Sequence, residues 1–111
     1  MRQVSRKERR VNARSTKPLW VDIDRIPYLA ENWSLSGIFI RDQLVDAVPG
    51  HRVLLRVTLD PFTGSPFADV FARIVRSDAN GTALALCELP PRVFDLLSEA
   101  MFRRPTSTRP R

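Results

Sequence analysis

Two short stretches carry the residue types that can do chemistry: ERRVNAR at residues 8–14 and NWSLSG at residues 32–37. Around the first, Arg2, Arg6, Arg10 and Arg14 recur every four residues. On a helix that spacing would stack like charges along one face and cost stability, so a lone helix is not expected there. A guanidinium is planar and permanently charged, grips phosphate through two parallel hydrogen bonds, and stacks on flat rings. Arginines four apart therefore suit a ligand with both phosphates and bases. In the second stretch, Asn32 offers donors and an acceptor to a base edge, and Ser34 adds a hydroxyl. Gly37 permits close backbone approach or a positive φ. Each stretch also has a plain reading: arginine-rich termini are often solvated or weakly drawn to RNA, and Asn, Ser and Gly are ordinary turn formers between strands.

The distribution of charge narrows the choice. The 111-residue chain has a net charge of +6. Residues 1–14 hold six cations against Glu8, a net of +5, and Arg103, Arg104, Arg109 and Arg111 give residues 103–111 a further +4. The body between them is left at −3. A reader of duplex nucleic acid spreads Lys and Arg over a face of its folded domain, and this body is mildly acidic. Nucleic acid is accordingly disfavoured as a partner.

The elements that must position these residues follow from periodicity. With 43% hydrophobic residues, the chain is expected to form one folded domain with a real core. Residues 1–14 contain few large apolar side chains and are expected to be a flexible arm. Leu19, Val21 and Ile23 alternate with Trp20, Asp22 and Asp24 in the period of a half-buried strand, which Pro27 interrupts. Residues 37–41, GIFIR, form a second strand leaving the polar turn, and Pro49-Gly50 marks another turn. Residues 52–60 place Val53, Leu55, Val57 and Leu59 on one face, with Arg52, Arg56 and Thr58 on the other. DPFTGSP (60–66) supplies turn chemistry, after which Ala68, Val70, Ala72 and Ile74 point inward. The Asn80-Gly81 pair in DANG predicts a two-residue turn with positive φ, followed by a strand in TALALCEL. Short strands separated by turns predict a mostly β antiparallel barrel or sandwich. Val93, Leu96, Leu97, Ala100 and Met101 fall at helical spacing, so one C-terminal helix over about 91–102 should cover the barrel. Arg103 and Arg104 suit the negative end of its dipole, and residues 103–111 read as a disordered basic tail.

Enzymatic chemistry is not expected. His51 reads as an exposed turn residue, Cys87 as a buried small hydrophobe, and no nucleophile, base and orienting group appear together. A single Cys and a single His make neither an intrachain disulfide nor a zinc cluster, so no metal or cofactor is expected. No run of apolar residues is long enough to span a membrane and no secretory signal opens the chain, which reads as cytoplasmic.

ERRVNAR followed by NWSLSG resembles the PilZ domain, whose signature is R-x-x-x-R, often preceded by a further Arg, then [D/N]-x-S-x-x-G. Arg10 and Arg14 match the first element with Arg9 before it, and Asn32, Ser34 and Gly37 match the second. Ser36 departs from the second Gly of many members, and ALALCEL departs from a Gly-Val-Glu-Phe-like run. VFARIVRS (70–77) is similar to the family strand that ends in a Val-Arg pair. The resemblance extends from Glu8 to about Phe102 and implies a six-stranded antiparallel PilZ-type β-barrel, residues 15–102, with one C-terminal α-helix and the R-x-x-x-R motif in the arm of residues 1–14.

PilZ domains are bacterial receptors for cyclic di-GMP. The resemblance implies that Arg10 and Arg14 hold phosphates and stack on guanine, that Asn32 and Ser34 contact a guanine edge, and that Gly37 lets the backbone close in. Arg9 would add a phosphate or stacking contact and, by family pattern, two intercalated ligands per chain. Arg6, Ser36 and Trp33 are further candidates. A polyanion that neutralises the arm would fold it across the barrel, creating a surface read by a separate, unidentified protein. Two alternatives stand: a degenerate PilZ-like adaptor of pilus or flagellar motility machinery that does not bind the ligand, and a single-strand nucleic-acid-binding barrel that uses Trp20 and Trp33 as stacking platforms.

Overall fold

In the computed structural model, which describes residues 14–102, the alternation at residues 19–23 builds β1 (Trp20–Ile23), burying Val21 and Ile23. The chain turns at once into β2 (Ile26–Trp33). Asp24 and Arg25 make this turn at φ 55° and 68°, a pair of left-handed residues that matches the twist of the strands they join. Asp-Arg lacks the composition of such turns, which is why β2 escaped the periodicity reading. Pro27 does not interrupt the sheet. It pairs with Asp22 of β1, and the ladder on the other side of β2 starts only at Ala30↔Ile40, so its missing N–H is not called upon.

The remaining elements are β3 (Gly37–Ile40), β4 (Arg52–Thr58), β5 (Phe67–Asp78), β6 (Gly81–Leu86) and helix α1 (Pro91–Phe102). The six strands close into an antiparallel barrel in the order β1-β2-β3-β6-β5-β4, with β1 pairing β4 to complete the ring. Closure gives every strand a neighbour on each side, although residues 26–29 of β2 are unpaired on the β3 side. Leu55 and Val57 of β4, and Ala68, Val70, Ala72 and Ile74 of β5, face inward as their period of two requires. Thr58 does not join the outer face: it is buried, and its hydroxyl donates to the Pro66 carbonyl, which closes the β4–β5 loop.

The β5–β6 turn lies one residue earlier than Asn80-Gly81 suggests. Asp78 pairs with Gly81, Ala79 and Asn80 form the loop, and the Asp78 carboxylate accepts from the Asn80 N–H. Gly81 opens β6 at φ 129°. A side chain there would meet the Ile40 carbonyl at 2.5 Å and the Phe39 ring at 2.6 Å.

Helix α1 contributes Val93, Leu96, Leu97 and Ala100 to the same core as the strands. Val93, Leu96 and Leu97, once taken out of water, each stabilise the fold by roughly 1.5–3 kcal/mol. The cations expected at its C-terminal end, Arg103 and Arg104, lie outside the described residues. Among the described residues, Lys17 reaches that end, its Nζ donating to the Met101 carbonyl at 2.7 Å. Cys87 is exposed rather than buried, because β6 ends at Leu86 and the chain leaves the core toward Pro90.

Candidate ligand site

The site begins with a fault in β2. Tyr28 and Ala30 face the core, and simple alternation would send Asn32 inward after them. The register shifts between Ala30 and Asn32, with Glu31 as the extra residue. This bulge reverses the phase, so Trp33 is wholly buried and Asn32 turns toward the surface. Glu31 is itself held across the bulge by two 2.9 Å hydrogen bonds from Arg41.

Beyond the bulge, Ser34 and Gly37 close a turn through the Ser34 N–H to Gly37 carbonyl bond at 2.8 Å. Ser34 Oγ accepts from the Ser36 N–H at 3.2 Å and lies 3.1 Å from Ser36 Oγ. These local bonds stabilise the turn without help from a positive φ. Gly37 is required for a different reason: a Cβ there would sit 2.9 Å from the Leu84 carbonyl of β6 and 3.5 Å from an Arg14 nitrogen. Crowding, not left-handed backbone, makes it glycine.

Arg14 is brought to this turn by its neighbour. Ser15 forms an isolated antiparallel bridge with Trp33, exchanging bonds of 2.6 and 3.0 Å. The Arg14 guanidinium then donates from Nε to Asn32 Oδ1 at 2.8 Å, from one terminal nitrogen to Ser34 Oγ at 3.3 Å, and from the other to the Asn32 carbonyl at 3.3 Å. All three acceptors are neutral. Partial burial pulls the Arg14 pKa below its ordinary value, yet an arginine starts so high that it stays charged at neutral pH. Among the described residues the arrangement presents a fixed cation with no carboxylate partner beside a polar turn, which can hold an anion and a planar ring.

Arg14, Asn32, Ser34 and Gly37, which the sequence set in two separate stretches, are thus brought together, with Ser36 exposed on the same turn. Arg6, Arg9 and Arg10 lie outside the described residues. Trp33 is not part of the surface: it is buried and its indole N–H donates to the Lys17 carbonyl. It cannot be a stacking platform, which removes half the support for a nucleic-acid barrel. Ser15 and the bulge at Glu31 were missed by sequence reasoning. A clue was available in Trp33, whose bulk demands the core while Ala30 already faces it. A separate cleft of ≈ 430 Å³, lined by Ile23, Tyr28, Val45 and His51 among others, contains none of these motif residues.

Among solved structures, the chain is similar to the Bacillus subtilis inhibitor of motility MotI/DgrA, with a TM-score of 0.64 and 22% identity. The match covers 98% of this chain but 55% of that one, so the chain spans about half the length of that protein. It is also similar to the PilZ domain of CeSA from a cellulose-synthesizing bacterium, with a TM-score of 0.60, 15% identity, and coverage of 82% and 96% of the two chains. The fold is that of a PilZ domain. No protein-family model matches the sequence, and no curated protein does. In this PilZ-like barrel the motif turn sits where β2 hands over to β3, against the end of β6: the Leu86 N–H donates to the Ser36 carbonyl. No helix among the described residues is long and apolar enough to cross a membrane, and no cluster of three or more His, Cys, Asp or Glu among them could hold a metal ion.

Proposed function

We propose that the protein is a non-enzymatic receptor for cyclic di-GMP, bound at the Arg14–Asn32–Ser34–Gly37 turn, that passes the signal to a separate protein. The observation that carries this reading is the Arg14 guanidinium, fixed by three neutral acceptors beside a glycine that has no room for a side chain. A cation that pairs with no carboxylate among the described residues keeps its charge for a ligand anion, and its planar fork suits both phosphate and purine. Among the described residues the Asn32 amide nitrogen makes no hydrogen bond, so it can donate to a guanine edge. Arg10 and Arg9, four and five residues before Arg14, supply further guanidiniums for the phosphates. Without ligand the cations of residues 1–14 repel; a polyanion neutralises them and draws the arm over the turn.

Calorimetry of the full chain with cyclic di-GMP, beside GMP and GTP, tests the reading. Micromolar or tighter binding that an Arg10→Ala, Arg14→Ala variant abolishes supports it, and the fitted stoichiometry distinguishes one ligand from two. A folded protein that does not discriminate cyclic di-GMP from GMP overturns it.

A further inference from the structure

We infer that the outer face of the β4–β5 hairpin is a docking surface for a partner-protein segment that presents an apolar side chain flanked by carboxylates. The face centres on β4 and β5, with Arg73 two strands from Gly37 by way of Ala85, and the inference stands whether or not cyclic di-GMP is the ligand.

Four observations converge on it. Cross-strand partners Leu54 and Phe71 point outward and remain 49% and 46% exposed, with Phe67 at 48% four pairs along, beyond the Arg56–Asp69 ion pair. This outward strip of large apolar side chains adds nothing to the core of the closed barrel. Two guanidiniums are laid over the rings, Arg52 at 4.4 Å from the Phe71 centroid and Arg56 at 4.0 Å from that of Phe67. Stacking fixes these long side chains in advance; the Arg56 edge already donates to Asp69, whereas among the described residues the Arg52 edge is left for an incoming acceptor. The third observation is electrostatic. Arg52 pairs across the strands with Arg73, a like-charge pair that weakens a sheet. Neither forms an ion pair among the described residues, although Arg73 is held by a 2.7 Å bond to the Gly50 carbonyl. Finally, the strip borders a cleft of ≈ 530 Å³ lined by Arg52, Leu54, Phe71, Arg73, Cys87 and Pro90, large enough for an inserted side chain.

Charge decides the class of occupant. Two acids also line the cleft, but Asp69 is engaged by Arg56 at 3.0 Å, so among the described residues the lining has two arginines and one acid, Glu88, in no ion pair. That surplus is too small to neutralise a run of nucleic-acid phosphates. The exposed rings, capped by guanidiniums, also offer no open face to a base. An apolar tip in the cleft with carboxylates over Arg52 and Arg73 satisfies every group present, and aromatic and arginine side chains are the anchors that protein interfaces favour.

The test uses ligand-free, isotope-labelled full chain and follows backbone amide shifts during titration with a peptide Asp-Glu-Phe-Leu-Glu-Asp. Three controls accompany it: a charge-reversed peptide with Lys and Arg at the acidic positions, one with Ser-Ser in place of Phe-Leu, and a thymidine oligonucleotide. The acidic apolar peptide is expected to shift amides of residues 52–56 and 69–73, with weaker or no response to the controls. An Arg52→Ser, Arg73→Ser variant should bind about tenfold more weakly or worse. Leu54→Ser, at a half-exposed position that leaves the core intact, should do the same through the cleft. Absence of shifts, shifts centred on another face, equal response to the reversed peptide, or a stronger response to the oligonucleotide on these amides would each overturn the inference.

Discussion

Arginines on the barrel wall and the arginine at the turn live in opposite chemical surroundings. Arg41, Arg56 and Arg76 each pair with a carboxylate, Glu31, Asp69 and Asp78 respectively. Arg41 and Arg56 accordingly have pKa values raised by hydrogen bonds to those acids. Arg14 contacts an amide oxygen, a hydroxyl and a backbone carbonyl, and its pKa moves the other way through desolvation. Arg41, Arg56 and Arg76 are neutralised within the fold, whereas Arg52 and Arg73 on the same wall form no ion pair among the described residues. Arg14 is held by three bonds and pairs with no carboxylate among the described residues, and the proposed anion site rests on that difference.

Removing guanidiniums from the two regions in turn gives the sharpest contrast. Arg14→Ala is expected to cost about 1.5–3 kcal/mol of cyclic di-GMP affinity, the worth of a charged hydrogen bond, with little change in melting temperature. Arg41→Ala should leave the affinity unchanged in the same calorimetric titration. Equal losses from both would erase the distinction. Next in size is Gly37→Ala. Its Cβ would press on the Leu84 carbonyl at 2.9 Å, and overpacking of this kind costs about 1–3 kcal/mol, read as a lower urea midpoint. The same substitution should weaken ligand binding by displacing Arg14. Asn32→Ala removes the shortest of the bonds that hold Arg14, and a loss of about 0.5–1.5 kcal/mol in affinity is expected; an unchanged affinity would mean that Arg14 is positioned by something else.

The smallest effect belongs to the wall. Its hydrogen bonds from Arg41 pull the Glu31 carboxyl below its ordinary value. A depressed folded pKa means the contribution is present above the unfolded pKa of about 4.3 and fades as pH falls through the folded one. Glu31→Gln should therefore flatten the acid limb of a stability–pH curve slightly, and leave neutral-pH stability almost untouched because the pair is exposed. A large loss at neutral pH would show that the pair, rather than the burial of Trp33, sustains the bulge.

Period-two patterning in residues 19–23, 52–60 and 67–77, and helical spacing in residues 91–102, were enough to place four elements and their inward faces, because one-sided burial writes itself into composition. GIFIR (37–41) was legible from its β-branched and aromatic residues between a turn and a charged end. β2 was not, for its entry turn is Asp24-Arg25 rather than Asn-Gly and its phase changes at Glu31. Cys87 was misplaced since an apolar neighbourhood in sequence does not reveal where a strand ends. Trp33 was misplaced for the bulge that sequence alone could not show.

Residue chemistry offered several arginines and a polar turn, and the resemblance to the PilZ signature singled out Arg14, Asn32, Ser34 and Gly37 among them, since guanidinium, amide, hydroxyl and an absent side chain are properties a residue carries wherever it sits. Tertiary structure decided that they meet. The Ser15–Trp33 bridge and the bulge bring a residue from before β1 onto the turn after β2. It also decided why position 37 is glycine, through a carbonyl on β6 forty-seven residues away in sequence. Contacts between strands distant along the chain depend on register and phase, and a local pattern encodes neither.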